Sequence, residues 1–181
     1  MTRIGRLFSL SALILITSAC GVAHVNTETA PINLSQYELA QIGDVKVYSE
    51  EANAQNNEPL QAKLIEWTES ATNQLENAIA QSSLTLQSST EPSSSRTLIF
   101  SLDSNVRYGN RALRWAVGFG AGKGGVETVL SVVDAATGEQ VYRATASSDL
   151  SMGGAGGNMD AVFRSNINEL IAQYRLDNPG R

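Results

Sequence analysis

The chain has 181 residues, with 13 Lys and Arg against 18 Asp and Glu, one His, one Cys and a formal charge of −5 at neutral pH. That length is enough for one domain with its own core, and the acidic balance argues against nucleic acid as a partner. A single cysteine forms no intramolecular disulfide, and a single histidine, His24, leaves little from which to build a zinc cluster or a nucleophile-histidine pair.

Arg3 and Arg6 precede an apolar run from Leu7 to Ile16 that is interrupted only by Ser9 and Ser11. This charged-then-apolar order is that of a secretory signal, and the run is shorter than the roughly 20 residues that span a bilayer. Thr17-Ser18-Ala19-Cys20-Gly21 follows. It resembles the lipobox of bacterial lipoproteins, with Thr17 where Leu is usual. The resemblance implies a signal peptide over residues 1–19, a lipidated Cys20, and a membrane partner through that anchor. Ordinary cleavage near Gly21-Val22-Ala23 is the competing reading and would release a periplasmic protein. Gly21 stands where Asp would favour inner-membrane retention in enteric bacteria, so the resemblance points to the outer membrane, facing the periplasm. Each buried methylene contributes about 0.8 kcal/mol, so several acyl chains would hold the protein stably. Removing residues 1–19 takes away two arginines and no acid, which moves the charge from −5 to about −7.

Residues 20–40 are small and polar, hold His24, lack sustained periodicity and read as a flexible tether; a single domain is expected over residues 41–177. Ile42, Val45 and Val47 predict a short strand ending at Tyr48, followed by a polar loop over residues 49–57. Asn57-Glu58-Pro59 then supplies a capping side chain and a first-turn proline. From there Leu60, Leu64, Trp67, Ala71, Leu75 and Ile79 recur at intervals of three or four, which predicts an amphipathic helix to about Gln81 with Glu66, Glu69 and Glu76 in solvent. Residues 82–95 read mostly as loop, with Leu84-Thr85-Leu86 as a short edge strand.

Arg96 to Leu102 is rich in β-formers, and Val126 to Val133 is apolar enough on both faces for an inner strand. Asp134-Ala135-Ala136-Thr137-Gly138 joins it to a further strand from Glu139 to Ser147 as a hairpin in which Gly138 takes a positive φ. After the connector Gly153-Gly154-Ala155-Gly156-Gly157, Phe163, Ile167, Leu170, Ile171 and Tyr174 share one face of a helix from Met159 to Tyr174. The order predicts an α+β two-layer sandwich: a mainly antiparallel or mixed sheet of about four to five strands with two helices on one face.

Residues 107–125, RYGNRALRWAVGFGAGKGG, form the least ordinary stretch. They are not a Walker A loop, because Val117 stands where the first glycine belongs and Gly124 follows Lys123. Gly120, Gly122 and Gly125 meet the spacing of a dinucleotide fingerprint, but a strand rather than a helix comes next, so no helix N-terminus would receive a pyrophosphate. Arg107, Arg111, Arg114 and Lys123 lie in a run with no acid from Ser104 to Val126. Together with Trp115 they are candidate partner-binding residues, since Arg and Trp dominate interface hot spots. The other reading is a tightly packed turn with Trp115 and Phe119 in the core and the arginines solvated.

The same residues carry a family resemblance. Gly109-Asn110-Arg111-Ala112-Leu113-Arg114-Trp115 and Gly118-Phe119-Gly120-Ala121-Gly122-Lys123, followed by a strand and Asp134-Ala135-Ala136-Thr137-Gly138, resemble the bacterial family known as domain of unknown function 4410. The likeness runs from Arg96 to Ile171 and implies an envelope lipoprotein with no assigned activity. The hairpin between alternating strands is also similar to small domains of outer-membrane lipoproteins of the curli secretion channel kind. Carboxylate pairs such as Glu50-Glu51 and Glu66 with Glu69 sit on a polar loop and a solvated helix face, where a bland role is the better reading. No catalytic residue, metal site or cofactor is expected. The sequence thus points to a lipid-anchored binding or scaffolding module, with an envelope protein or anionic glycan as partner. A subunit of a multimeric outer-membrane export or envelope assembly is the alternative.

Overall fold

The computed structural model describes residues 23–51, 54–88, 96–107, 124–150 and 158–179. In chain order the elements are β1 (His24–Thr27), β2 (Leu39–Tyr48), α1 (Glu58–Ala80), β3 (Thr85–Gln87), β4 (Thr97–Arg107), β5 (Gly125–Asp134), β6 (Gln140–Asp149) and α2 (Met159–Asp177). The strands form one mixed sheet in the order β1-β6-β5-β4-β2-β3. Strand β2 runs parallel to both β3 and β4, and the remaining neighbours are antiparallel. The α1 crossover makes the parallel β2–β4 pairing possible, because parallel neighbours cannot be joined by a tight turn.

The capping residues act as their chemistry dictates. Asn57 Oδ1 accepts from the Leu60 N–H at 3.2 Å, and Asn158 Oδ1 accepts from the N–H groups of Asp160 and Ala161 at 3.0 and 3.3 Å. Both helices turn their apolar stripes to the same sheet face. From α1 these are Leu60, Leu64, Trp67, Ala71, Leu75 and Ile79, and from α2 Phe163, Ile167, Leu170, Ile171 and Tyr174. Trp67 and Phe163 stack between the helices, with centroids 5.2 Å apart. On the sheet side, Leu98, Phe100, Leu102 and Val106 alternate inward along β4, as do Val126, Leu130 and Val132 along β5. Thr128 shares that face, and its hydroxyl lies 2.9 Å from Ser104 Oγ, so these two buried hydroxyls answer one another. On the opposite face Ile99, Val129 and Val133 are half-buried among exposed Asp103 and Glu127, as suits an antiparallel sheet with one solvated face.

Two expectations need correction. From Ala23 onward, the stretch read as a flexible tether is part of the domain: Ala23 is buried, and β1 pairs with β6 from His24 opposite Ser147 to Thr27 opposite Ala144. Its four residues are too few to display a period, so only the partner strand reveals them. This edge strand brings the sheet to six strands rather than four or five. Other boundaries moved outward: β2 begins at Leu39, β4 continues to Arg107 and α2 to Asp177. The short edge strand falls at Thr85–Gln87, on the rim beside β2. Gly138 has φ +71, the left-handed value its place in the hairpin requires.

Candidate functional site

The expected lipidation residue Cys20 and the partner-binding candidates Arg111, Arg114, Trp115 and Lys123 lie outside the described residues, as does the Gly153-to-Gly157 connector. Arg107 is described. It ends β4, is exposed, and pairs in register with Gly125, the first residue of β5. Gly125 is there because nothing larger fits: a Cβ would lie 2.8 Å from the Ser148 carbonyl oxygen, 3.5 Å from Asp149 Oδ1 and 3.8 Å from Arg107 Nη2. The Arg107 guanidinium and the Asp149 carboxylate thus flank one point on the solvated face. Asp149 is 42 residues away along the chain, at the end of the next strand but one, so the acid-free run around Arg107 is not acid-free in space.

One end of the sheet gathers these features. The chain leaves β4 after Arg107 and re-enters at Gly124, it leaves β6 at Leu150 and re-enters at Asn158, and it first joins the sheet at His24 beside Ser147. The N-terminal turns of α1 and α2 meet there. Lys63 Nζ bridges Asp160 Oδ1 and Glu66 Oε2, each at 2.8 Å, and Trp67 Nε1 donates to Asp160 Oδ1 at 2.9 Å. Burial pushes the Asp160 carboxyl up, but the hydrogen bonds from Lys63 and Trp67 outweigh it and hold the group below its ordinary value. Lys63, raised first by its bond to Asp160 and then by Glu66, stays protonated. This joint has the chemistry of a clamp, with every charge already answered.

The opposite end carries an open cleft of about 570 Å³ that sequence reasoning did not find. Its walls come from residues 31–38, from Ser83 after α1, from Arg96 before β4 and from Asp177 and Pro179 at the end of α2. Asn178, at the helix C-terminus, fastens the first wall by accepting from the Ile32 N–H while its Nδ2 donates to the Tyr174 carbonyl at 2.8 Å. The Glu38 and Leu39 N–H groups donate to the Arg96 carbonyl at 3.0 and 3.1 Å, and Arg96 Nη1 meets Glu38 Oε1 at 2.6 Å. Tyr37 donates its hydroxyl to Asp134 at 2.8 Å; burial first, then that bond and the carboxylate charge, push its pKa up to about 12. Seven of the eleven lining residues lie in the stretch read as a tether, and the rest come from three distant segments. No spacing along the chain could have grouped them.

Among the described residues, no three of His, Cys, Asp and Glu are placed to share a metal ion, and no helix is long and apolar enough to cross a membrane. Residues 44–154, more than half of the chain, match the family described as "Domain of unknown function (DUF4410)". The chain belongs to the DUF4410 family. The matched span starts before, and stops short of, the stretch from Arg96 to Ile171 that carried the resemblance in the sequence. No curated protein matches this DUF4410 chain. Among solved structures it is similar to the PelC dodecamer from Paraburkholderia phytofirmans, with a TM-score of 0.52 at 15% identity over 88% of this chain and 100% of that one. It also matches a neuraminyllactose-binding hemagglutinin homolog from Helicobacter pylori, at a TM-score of 0.42 and 12% identity over 83% of this chain and 86% of that one. At these identities the PelC likeness establishes a shared fold.

Proposed function

We propose that this DUF4410 protein is a non-catalytic binding and scaffolding module of the bacterial envelope, held by lipid on Cys20 in the outer membrane and facing the periplasm. The observation that carries the reading is topological: the chain joins the sheet at His24, at the same end as Arg107, Gly124 and Asn158. Three residues separate Cys20 from His24, and the four steps between them, at about 3.3–3.6 Å per residue, reach about 14 Å at most. An anchored domain would therefore sit against the bilayer with the Arg107 end inward, instead of ranging on a long leash. Arg107, Arg111, Arg114, Trp115 and Lys123 would then be presented to an acidic partner at the membrane surface, an envelope protein or an anionic glycan.

A second reading is favoured by a specific observation. The chain shares its fold, over the full length of that protein, with a chain that assembles as a dodecamer. This supports a homo-oligomeric envelope assembly in which each anchored copy is one subunit. Fractionation and acyl labelling of wild type and Cys20→Ser test the first reading, with label and membrane association both lost in the variant. Unlabelled wild-type protein in the periplasm would overturn it. Light scattering after gentle detergent extraction tests the second: a particle of one chain, near 19 kDa before processing, rules out the assembly, and a multiple of it supports it.

A further inference from the structure

We infer that the cleft between residues 31–38 and the end of α2 is a binding site for a short neutral saccharide. Its size falls within the roughly 300–1,000 Å³ of small-molecule sites, and its walls are fixed by hydrogen bonds that need no ligand, so binding would cost little ordering. The lining decides the class of ligand. Among the described lining residues Arg96 is the one cation, already paired with Glu38, and Asp177 adds a second acid, so these side chains present an anion with more negative than positive charge. A purely apolar ligand would strip water from Glu38, Asn33 and Arg96 without replacing it. A pyranose answers both surfaces at once. Its C–H face can lie on Pro31, Pro179 and the Tyr37 ring, while its hydroxyls donate to Glu38 and accept from Arg96, whose guanidinium carries five N–H donors.

Tyr37 supports this arrangement in a second way. Its hydroxyl hydrogen is committed to Asp134, which holds the ring as a wall and turns the oxygen into an acceptor. The cleft lies at the end of the sheet away from His24 and Arg107, where β4 begins and β5 ends, so sugar binding there can fail while acyl labelling of Cys20 and the oligomeric state stand.

The test titrates the full chain with cellobiose and N,N′-diacetylchitobiose, with digalacturonic acid and a trilysine peptide as comparisons, and follows backbone amides by heteronuclear NMR. Saturable shifts with a neutral disaccharide are expected at residues 33–38 and at Arg96. Arg96→Ala should weaken that binding about tenfold or more, the scale of a lost charge-assisted hydrogen bond. Ser83→Trp, which fills the cleft from its exposed rim, should abolish it at unchanged melting temperature, and it keeps the test intact if Arg96→Ala misfolds. No saturable shift with either neutral sugar overturns the inference. So does a shift that survives Ser83→Trp, or tighter binding of the acidic sugar or of trilysine.

Discussion

Asp177 joins three elements of the fold through one side chain. Its Oδ2 accepts from Thr27 Oγ1 at 2.7 Å and from the Tyr142 hydroxyl at 2.8 Å, and its Oδ1 accepts from Gln173 at 2.8 Å. One carboxylate thereby ties β1, β6 and the last turn of α2 together. Burial pushes its pKa up, but the bonds from Thr27, Tyr142 and Gln173 prevail and hold it below the ordinary 3.8. A depressed carboxyl contributes stability that is present above the unfolded value and is lost as the pH falls through the folded one. Asp177→Ala leaves the buried Tyr142 hydroxyl without its acceptor and should cost about 1–3 kcal/mol near neutral pH, measured by urea denaturation. The gap between wild type and variant should narrow once the pH drops below 3.8. An equal gap at all pH values would mean that the charge of Asp177 contributes nothing. Buried Asn166 plays a similar part in the core, where its Nδ2 points at Ser148 Oγ, the Ala146 carbonyl and the Val126 carbonyl at 2.9, 3.1 and 3.3 Å, fixing α2 over β5 and β6.

At the scale of elements, two glycines of the β5–β6 hairpin illustrate different demands. Gly138 needs its positive φ, while a Cβ there would meet nothing within 4 Å. Gly125 needs space, because the nearest obstacle, the Ser148 carbonyl at 2.8 Å, belongs to backbone and cannot swing aside. Gly138→Ala should therefore cost about 1 kcal/mol and Gly138→Asn less, since Asn tolerates the left-handed region. Gly125→Ala should cost about 1–3 kcal/mol through overpacking, and Gly125→Asn at least as much. Thermal melting of the four variants checks this, and rescue by Asn at position 125 would contradict the steric account. The contrast also explains what the sequence made legible. An Asp-to-Gly turn between two alternating strands is a local signal, so the hairpin could be read directly, as could α1 and α2 from stripes that repeat along a single helix. A four-residue edge strand such as β1 has no internal signal, because its stability resides in hydrogen bonds to β6.

For the whole molecule, charge is the quantity that chain order and space divide differently. Arg107, Arg111 and Arg114 stand in a run without an acid, yet folding brings Arg107 Nη2 and Asp149 Oδ1 within 3.8 and 3.5 Å of one point, where a Cβ on Gly125 would stand. If the three form a surface for an acidic partner, replacing all of them by Gln should leave the melting temperature nearly unchanged while partner capture falls. The wild-type complex should also weaken with salt, since exposed charges are screened over about 8 Å at physiological ionic strength. A stability loss of about 1 kcal/mol or more with no salt-sensitive partner would instead assign them to the fold. The sequence by itself determined the two helices, their buried faces, the hairpin, the α+β class and the family, because each is written in periodicity, capping or a contiguous motif. Only the tertiary structure decided that residues 24–27 belong to the sheet, that Arg107 and Asp149 flank Gly125, and that residues 31–38, Arg96 and Asp177 enclose a cleft. Those depend on which distant segments meet, and the long-range pairing that brings them together leaves no trace in local spacing.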